Sequence, residues 1–264
     1  VIDPRAIIDP SARLGAEVEV GPWTTIGADV EIGDGTRIAS HVIVKGPATI
    51  GRNNRIFQFS SVGEDTPAFV YKGEPTTLTI GDDNIIREGV TIHRGTVQAT
   101  GTTVIGNRNL LMAYVHIGHD SVIGHDVIMA NNASASGHVR VGDFANIGGY
   151  AGIPQYRCVG AHAHIAGMSL VLKDVPAFVT VSGHPAGAVG LNEEGMRRRG
   201  LPAATVAALR EAYRVVYRQG NTIAEALATL SDLAAAHPEV KLFVDSVADS
   251  RWGIVRGRRE GVTA

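Results

Sequence analysis

Four histidines crowd one part of the chain, His116, His119, His125 and His138, out of ten in all. An ordinary imidazole titrates near pH ~6.5, so around neutrality much of it can accept a proton from a hydroxyl. In the run His116-Ile117-Gly118-His119-Asp120 a carboxylate directly follows the second histidine. Asp120, or a backbone carbonyl, can hold one ring nitrogen as a donor and leave the other as a base. A backbone N–H such as that of Gly137 can stabilise an oxyanion. These residue types together describe general-base chemistry at a surface groove.

What must position them is a repeat. Taking every sixth residue from Ile8 gives Ile8, Leu14, Val20, Ile26, Ile32, Ile38, Val44, Ile50, Ile56 and Val62. Ile, Leu and Val make up roughly a quarter of the chain, so the chance of that run is on the order of one in a million. The register resumes at Ile80, Ile86 and Ile92, slips by one residue, and continues through Ile105, Leu111, Ile117, Ile123, Met129, Ala135, Val141, Ile147, Ile153, Val159, Ile165 and Val171. Period six is neither helical nor simple strand alternation. It describes a mainly β solenoid in which each hexapeptide is a short strand plus a turn. Three hexapeptides close a triangular coil of about 18 residues, and adjacent coils stack about 4.8 Å apart. Ile117 points inward, so His116 and His119 lie towards the outside. Gly137 stacks one coil beyond His119 and Gln155 two, which makes Gly137, His138 and Gln155 its neighbours.

Two segments interrupt the period. One coil reads as replaced by an excursion containing Glu64 to Pro75, and Gly95 to Thr103 reads as a bulge. Loops on a rigid scaffold are where function concentrates. After Val171 the period ends, and Ser182-Gly183-His184-Pro185 marks a boundary. The predicted domains are a β-helix over 1–184 and a small helical unit over 185–264. In the second unit Val206, Leu209, Tyr213, Val216 and Tyr217 fall at helical spacing between Pro202 and Gly220. Ile223, Leu227, Leu230 and Leu233 repeat the pattern before Pro238. Arg197, Arg198, Arg199, Arg210, Arg214 and Arg218 make its early part basic.

Composition excludes several classes. A net charge of −2 carries no footprint of a general nucleic-acid binder. No apolar run is long enough for a membrane span. The single cysteine, Cys158, precludes an internal disulfide and fits a reducing compartment. No secretion signal is visible, so a cytoplasmic location is expected. Two readings compete with general-base chemistry. Three histidines can hold zinc, as in trimeric hydratases of the gamma carbonic anhydrase type, with His93 as the distant ligand. Alternatively, the solenoid is a non-catalytic scaffold and the histidines are polar surface.

More specific stretches resemble a known family. Lys72-Gly73-Glu74-Pro75, Arg87 through Thr96, His116 through Asp120, Asn131-Asn132, Gly137-His138-Val139, Gly160-Ala161-His162, Asp174-Val175-Pro176 and Asn192 through Gly200 are similar to the UDP-N-acetylglucosamine O-acyltransferases of lipid A biosynthesis. The likeness covers essentially the whole chain. It implies a left-handed β-helix, against the usual crossover hand, assembled as a homotrimer with sites between prisms. It implies transfer of a 3-hydroxyacyl chain from acyl carrier protein to the sugar 3-hydroxyl of UDP-N-acetylglucosamine, with no cofactor besides that thioester. Through it His119 is the general base, Asp120 its orienting partner and Gly137 the oxyanion donor. His116, His138 and Gln155 contact substrate. Asn192, Glu194, Arg198 and Arg199 serve the nucleotide, and Gly167 sets acyl length, with room for a longer chain. The basic helical unit faces the acidic carrier protein.

The chain departs from the family pattern at the sugar end. Ala68 and Val70 stand where an aspartate and a lysine are usual, Pro154 where a histidine is, and Pro185 where a histidine is frequent. Lost polar partners in a site built for hydroxyls weaken discrimination strongly. One reading is the ordinary lipid A enzyme with a tolerant pocket. The other is a paralogue acylating a different nucleotide sugar, or a small amine or alcohol. Ala68→Asp, Val70→Lys and Pro154→His combined are expected to raise the rate on UDP-N-acetylglucosamine. An unchanged rate would make the departures neutral.

Overall fold

A computed structural model describes residues 1–69 and 71–257. Val70, one of the departing positions, lies outside the described residues. Strands of two to four residues follow one another around a triangle and pair in parallel with strands of the next coil. The result is a left-handed parallel β-helix. The first face holds eight strands, from Ile7–Ile8 to Gly152–Ile153. The second holds eight, from Arg13–Leu14 to Cys158–Val159. The third holds ten, beginning at Glu19–Val20 and ending in the antiparallel hairpin Val179–Gly183/Ala186–Leu191.

The sixth-position side chains fill the prism. From Ile105 to Val171 all twelve are at most 3% exposed. Burial of each Ile, Leu or Val stabilises by about 1.5–3 kcal/mol. Ile8 and Leu14, at the open end, are only half-buried. Each coil must turn three corners, and the corner residue commonly takes the left-handed conformation, as at Asp120 (φ 58°) and His138 (φ 63°). Polar groups at one edge are satisfied internally. Buried Asn84 donates from its backbone and side chain to Asn54 Oδ1, at 2.9 and 3.0 Å, and its own Oδ1 accepts from Asn109 N at 2.9 Å.

The first interruption differs from the reading of a replaced coil. Val62 pairs directly with Ile92, and Ile50 with Ile80. Both partners are thirty positions apart instead of eighteen, so twelve residues are inserted into an otherwise complete coil. Ile92 pairs with Ile117 and Ile80 with Ile105, twenty-five positions apart, an insertion of seven. Both insertions leave the prism at the corner between the first and second faces. His119 turns that same corner in the next coil.

The helical unit also differs in detail. Its helices are α1 (Glu193–Arg198), α2 (Ala203–Tyr217), α3 (Ile223–Thr229), α4 (Ser231–Ala236) and α5 (Pro238–Ala248). Pro238 opens a further helix, α5, beyond the two spacing patterns read from the sequence, since proline at a first helical position gives up no intrahelical bond. The boundary expected at 184/185 falls in the turn of the closing hairpin. The chain then returns to the prism, where Ile254 bridges Asp174 and Gly257 bridges Ala188. Asn84→Ala is expected to cost about 1–3 kcal/mol by stranding buried partners. Denaturant unfolding checks this, and no loss of stability would refute the ladder's role.

Candidate active site

The corner shared by the two insertions holds the histidine cluster. His116, on the first-face strand His116–Ile117, accepts or donates at 2.9 Å with Thr91 Oγ1 one coil earlier. His119 follows in the turn, only 9% exposed. Its ring fits because Gly137 backs onto it: a Cβ at that position would sit 2.6 Å from Nε2. His138 N–H donates to His119 O at 2.8 Å, and the two rings meet edge to face at 4.8 Å. Tyr156 stacks on His138 at 4.3 Å. Gln155 is exposed in the same turn.

Asp120 is fully buried at its side chain and surrounded by donors. Oδ2 lies 2.8 Å from His119 Nδ1 and accepts from Thr96 Oγ1 at 2.7 Å. Oδ1 accepts from Thr96 N–H at 3.1 Å and Thr100 Oγ1 at 3.1 Å. A carboxylate offers about four acceptor sites, so no lone pair is left for a proton. Burial alone would push this carboxyl up, but the bonds from His119, Thr96 and Thr100 outweigh it and hold it below its ordinary value. An acceptor-only Asp120 makes His119 Nδ1 the donor and leaves Nε2 as the basic nitrogen. The threonines come from the seven-residue insertion. Sequence reasoning did not single them out, although the thirteen-residue gap from Ile92 to Ile105 marked the loop.

The Gly137 backbone lies against the His119 ring. At the corner between the second and third faces, the N–H at this turn position is capped from the next coil, as in Ala16 to Asp34 Oδ1 and His125 to Asp143 Oδ1, both 2.8 Å. Gln155 stands in that place here, and among the described residues the Gly137 N–H donates to nothing in the chain. A cavity of about 920 Å³ opens against Asp120 and His138, walled by Tyr156, Arg140, Cys158 and Trp252.

The twelve-residue insertion is pinned at the same corner. Buried Arg94 donates to Gly63 O, Asp65 Oδ1 and Tyr71 Oη, and His93 Nδ1 contacts Asp65 O at 2.7 Å. His93 therefore faces the insertion and His116, with ring centroids 5.4 Å apart. The group of potential metal ligands among the described residues is instead His119, Asp120 and His138.

The remaining predicted residues lie elsewhere. Asn192, Glu194, Arg198 and Arg199 border a groove of about 460 Å³ on the third face, with Phe144 and His164. Asn192 caps α1, accepting from Gly195 N–H at 3.0 Å and donating to His162 O at 2.9 Å. Glu194 bonds Arg197 and Arg198, and these guanidiniums pull its carboxyl down to about 2. Arg199 lies over the Phe144 ring at 4.3 Å. Arg210 and Arg214 pair with Glu193 and Glu211, so the helical surface is less basic than its arginines alone imply. Gly167 sits at the corner between the third and first faces. A Cβ there would meet only Gly149 O, at 3.3 Å, and Gly149 N, at 3.9 Å.

Comparison with known proteins follows this geometry. Residues 174–255 match the family described as Udp N-acetylglucosamine O-acyltransferase, domain 2, and residues 11–46 and 102–137 match the bacterial transferase hexapeptide family. The acyl-[acyl-carrier-protein]–UDP-N-acetylglucosamine O-acyltransferase of Stutzerimonas stutzeri (strain A1501) is 60% identical, over 97% of this chain and 99% of that protein. This chain belongs to that acyltransferase family. Among solved structures, the UDP-N-acetylglucosamine O-acyltransferase of Moraxella catarrhalis RH4 superposes with a TM-score of 0.95 at 47% identity, over 97% of this chain and 99% of the other. The LpxA structure from Acinetobacter baumannii gives 0.94 at 48% identity, with the same coverage. No helix among the described residues is long and apolar enough to cross a membrane.

Four half-buried histidines of this acyltransferase carry a pH signature. Burial, reinforced by His93 and His119, lowers His116. Burial also lowers His138, against the opposing Asp120, and lowers His162 and His164. In the unfolded chain these groups titrate near 6.5. Below that value, down to the folded values, the unfolded state binds more protons, so stability falls as pH falls. Asp120, depressed when folded, loses its contribution only as pH falls through its own folded value. Thermal unfolding is expected at lower temperature at about pH 5.5 than at about pH 7.5, with His164→Gln flattening part of the difference. A midpoint constant over that span would mean the rings are not buried neutral.

Proposed function

We propose that this enzyme transfers a (3-hydroxy)acyl chain from acyl carrier protein to the 3-hydroxyl of UDP-N-acetylglucosamine, with His119 as general base. The observation that carries the mechanism is the donor-saturated Asp120. It fixes Nδ1 of His119 as the donor, which makes Nε2 the basic nitrogen of the neutral ring, against Gly137, whose N–H donates to nothing among the described residues. Nε2 removes the acceptor hydroxyl proton as the oxygen attacks the thioester carbonyl. The Gly137 N–H receives the developing oxyanion. Collapse expels the carrier thiolate, which takes the proton back from the His119 imidazolium. No nucleophilic side chain is consumed, and no cofactor beyond the thioester is required. His116, His138 and Gln155, around the same corner, contact substrate.

The nucleotide residues support a homotrimer. Glu194, Arg198 and Arg199 open onto the third face, whereas His119 lies at the opposite corner, between the first and second. One prism does not unite them, but the third face of a neighbour laid against the first face would. An apolar edge at the third–first corner fits such a contact. Trp23, Phe59, Tyr114, Tyr150 and Met168 lie along it, 56–76% exposed. Asn192 then serves the nucleotide indirectly, by setting α1. Gly167 lies along the same edge. Since nothing but Gly149 would crowd a Cβ there, the missing side chain leaves room for a long acyl chain. The reaction belongs in the cytoplasm, where the acyl carrier thioester is made.

The zinc reading loses its support, because His93 turns to Asp65 O and four donors fill Asp120. A paralogue with another acceptor keeps one specific observation, the apolar Ala68 and Pro154 at the sugar end. A panel of acyl carrier thioesters and nucleotide sugars, with products identified by mass, separates the two. His119→Ala is expected to lower turnover by about 10²–10⁴-fold with an unchanged melting temperature. Near-normal turnover in that variant removes the mechanism.

A further inference from the structure

The seven-residue insertion does more than cross a corner. Asp120 can rotate about its Cα–Cβ and Cβ–Cγ bonds, and two imidazoles compete for it. His119 Nδ1 is 2.8 Å from Oδ2, while His138 Nδ1 is 4.0 Å from the same atom. Nothing in the dyad alone decides between them. The insertion does. Thr96 holds both oxygens at once, Oδ1 through its N–H and Oδ2 through its hydroxyl. Thr100 adds a second donor to Oδ1. From below, Thr103 Oγ1 accepts the Asp120 N–H at 2.8 Å and fixes the turn itself.

We infer that Thr96, assisted by Thr100, is a positioning residue of the acyl transfer. It locks the Asp120 carboxylate in the rotamer that addresses His119 and withholds it from His138. The inference rests on the general-base role of His119 proposed above. The two threonines do not weigh equally. Thr96 is 3% exposed, so its bonds are sheltered from water. Thr100 is exposed, and its single proton is shared between Asp120 Oδ1 at 3.1 Å and Thr102 O at 3.0 Å. Thr96 carries the larger share. With its hydroxyl removed, Oδ2 keeps only the imidazole, and the carboxylate can swing towards His138. His119 then loses the partner that holds Nδ1 as the donor, and the fraction of productive rings falls. Thr96 itself contacts no substrate and the lost function is that of the base, so the main loss belongs in kcat, with only a small effect through His138.

The test compares Thr96→Val, Thr96→Ser, Thr100→Val and Asp120→Ala, each alone, and Thr96→Val combined with Asp120→Ala. Valine keeps the shape of threonine and removes the hydroxyl; serine restores the hydroxyl. Thr96→Val is expected to lower kcat by about 10–100-fold, as loss of an orienting partner does, with both KM values within about twofold. Thr100→Val is expected to lower it less, and Thr96→Ser to recover most of it. In the Asp120→Ala background Thr96→Val should cost nothing more, because its effect runs through that carboxylate. Melting temperatures confirm that each variant is folded, and the serine variant reports on the hydroxyl even if valine misfolds. Unchanged kcat in Thr96→Val, a loss confined to KM, or an additive loss on Asp120→Ala overturns the inference. If His119→Ala and Asp120→Ala are both fully active, the general-base reading itself has failed, a distinct outcome.

Discussion

Each coil of this protein hangs on its neighbour by parallel backbone hydrogen bonds, and that ladder dictates where everything else can go. Residues normally pair with those eighteen positions on, as Ile117 does with Ala135 and Ala135 with Ile153. An inward aliphatic at every sixth position fills the space each coil encloses. Once the ladder is set, a side chain at a corner has its neighbours chosen for it. Gly137 lies against His119 because it is eighteen residues away, and the absence of a Cβ there lets the imidazole lie down on the backbone. A rigid scaffold of this kind suits chemistry that depends on orientation, since misplacement of a base by about 1 Å can cost roughly two orders of magnitude.

The insertions work against that regularity at one place. Both leave at the corner between the first and second faces, in consecutive coils, and the next coil presents His119 and Asp120 there. The longer one is held by buried Arg94 through Gly63, Asp65 and Tyr71. The shorter one supplies the donors that saturate Asp120. A buried carboxylate without such partners would take up a proton, since burial penalises charge. Here the donors reverse that tendency. The ionised state of Asp120 and the tautomer of His119 are therefore one physical fact seen from two sides.

The basic residues of the helical unit follow a different logic. Arg197, Arg198 and Arg214 form exposed ion pairs with glutamates of their own helices and Arg210 with Glu193 of α1, each contributing little to stability. Arg199 and Arg218 instead lie over aromatic rings, Arg199 over Phe144 at the rim of the third-face groove and Arg218 over Tyr213. Asn192 shows how a residue with the right chemistry for a ligand can instead be committed to the fold: its amide oxygen caps α1 and its amide nitrogen ties that helix start to His162 O of the prism.

Much of this was legible in the residues. Period six dictated the prism, because only an inward aliphatic repeats that way, and stacking arithmetic put Gly137 and His138 beside His119. Helical spacing made α2 and the run of α3 and α4 legible, but not α1 or α5, which Pro238 opens. Tertiary structure decided the rest. Spacing could not tell a replaced coil from an inserted loop, because both leave the aliphatic register intact; only the pairing of Val62 with Ile92 distinguishes them. Nor could it reveal that Thr96 reaches Asp120 across twenty-four positions, since a loop outside the repeat obeys no stacking rule. The sequence by itself determined the prism, its corners and the histidine at one of them. The folded chain alone decided which side chains hold that imidazole, because those contacts come from segments where the period is broken.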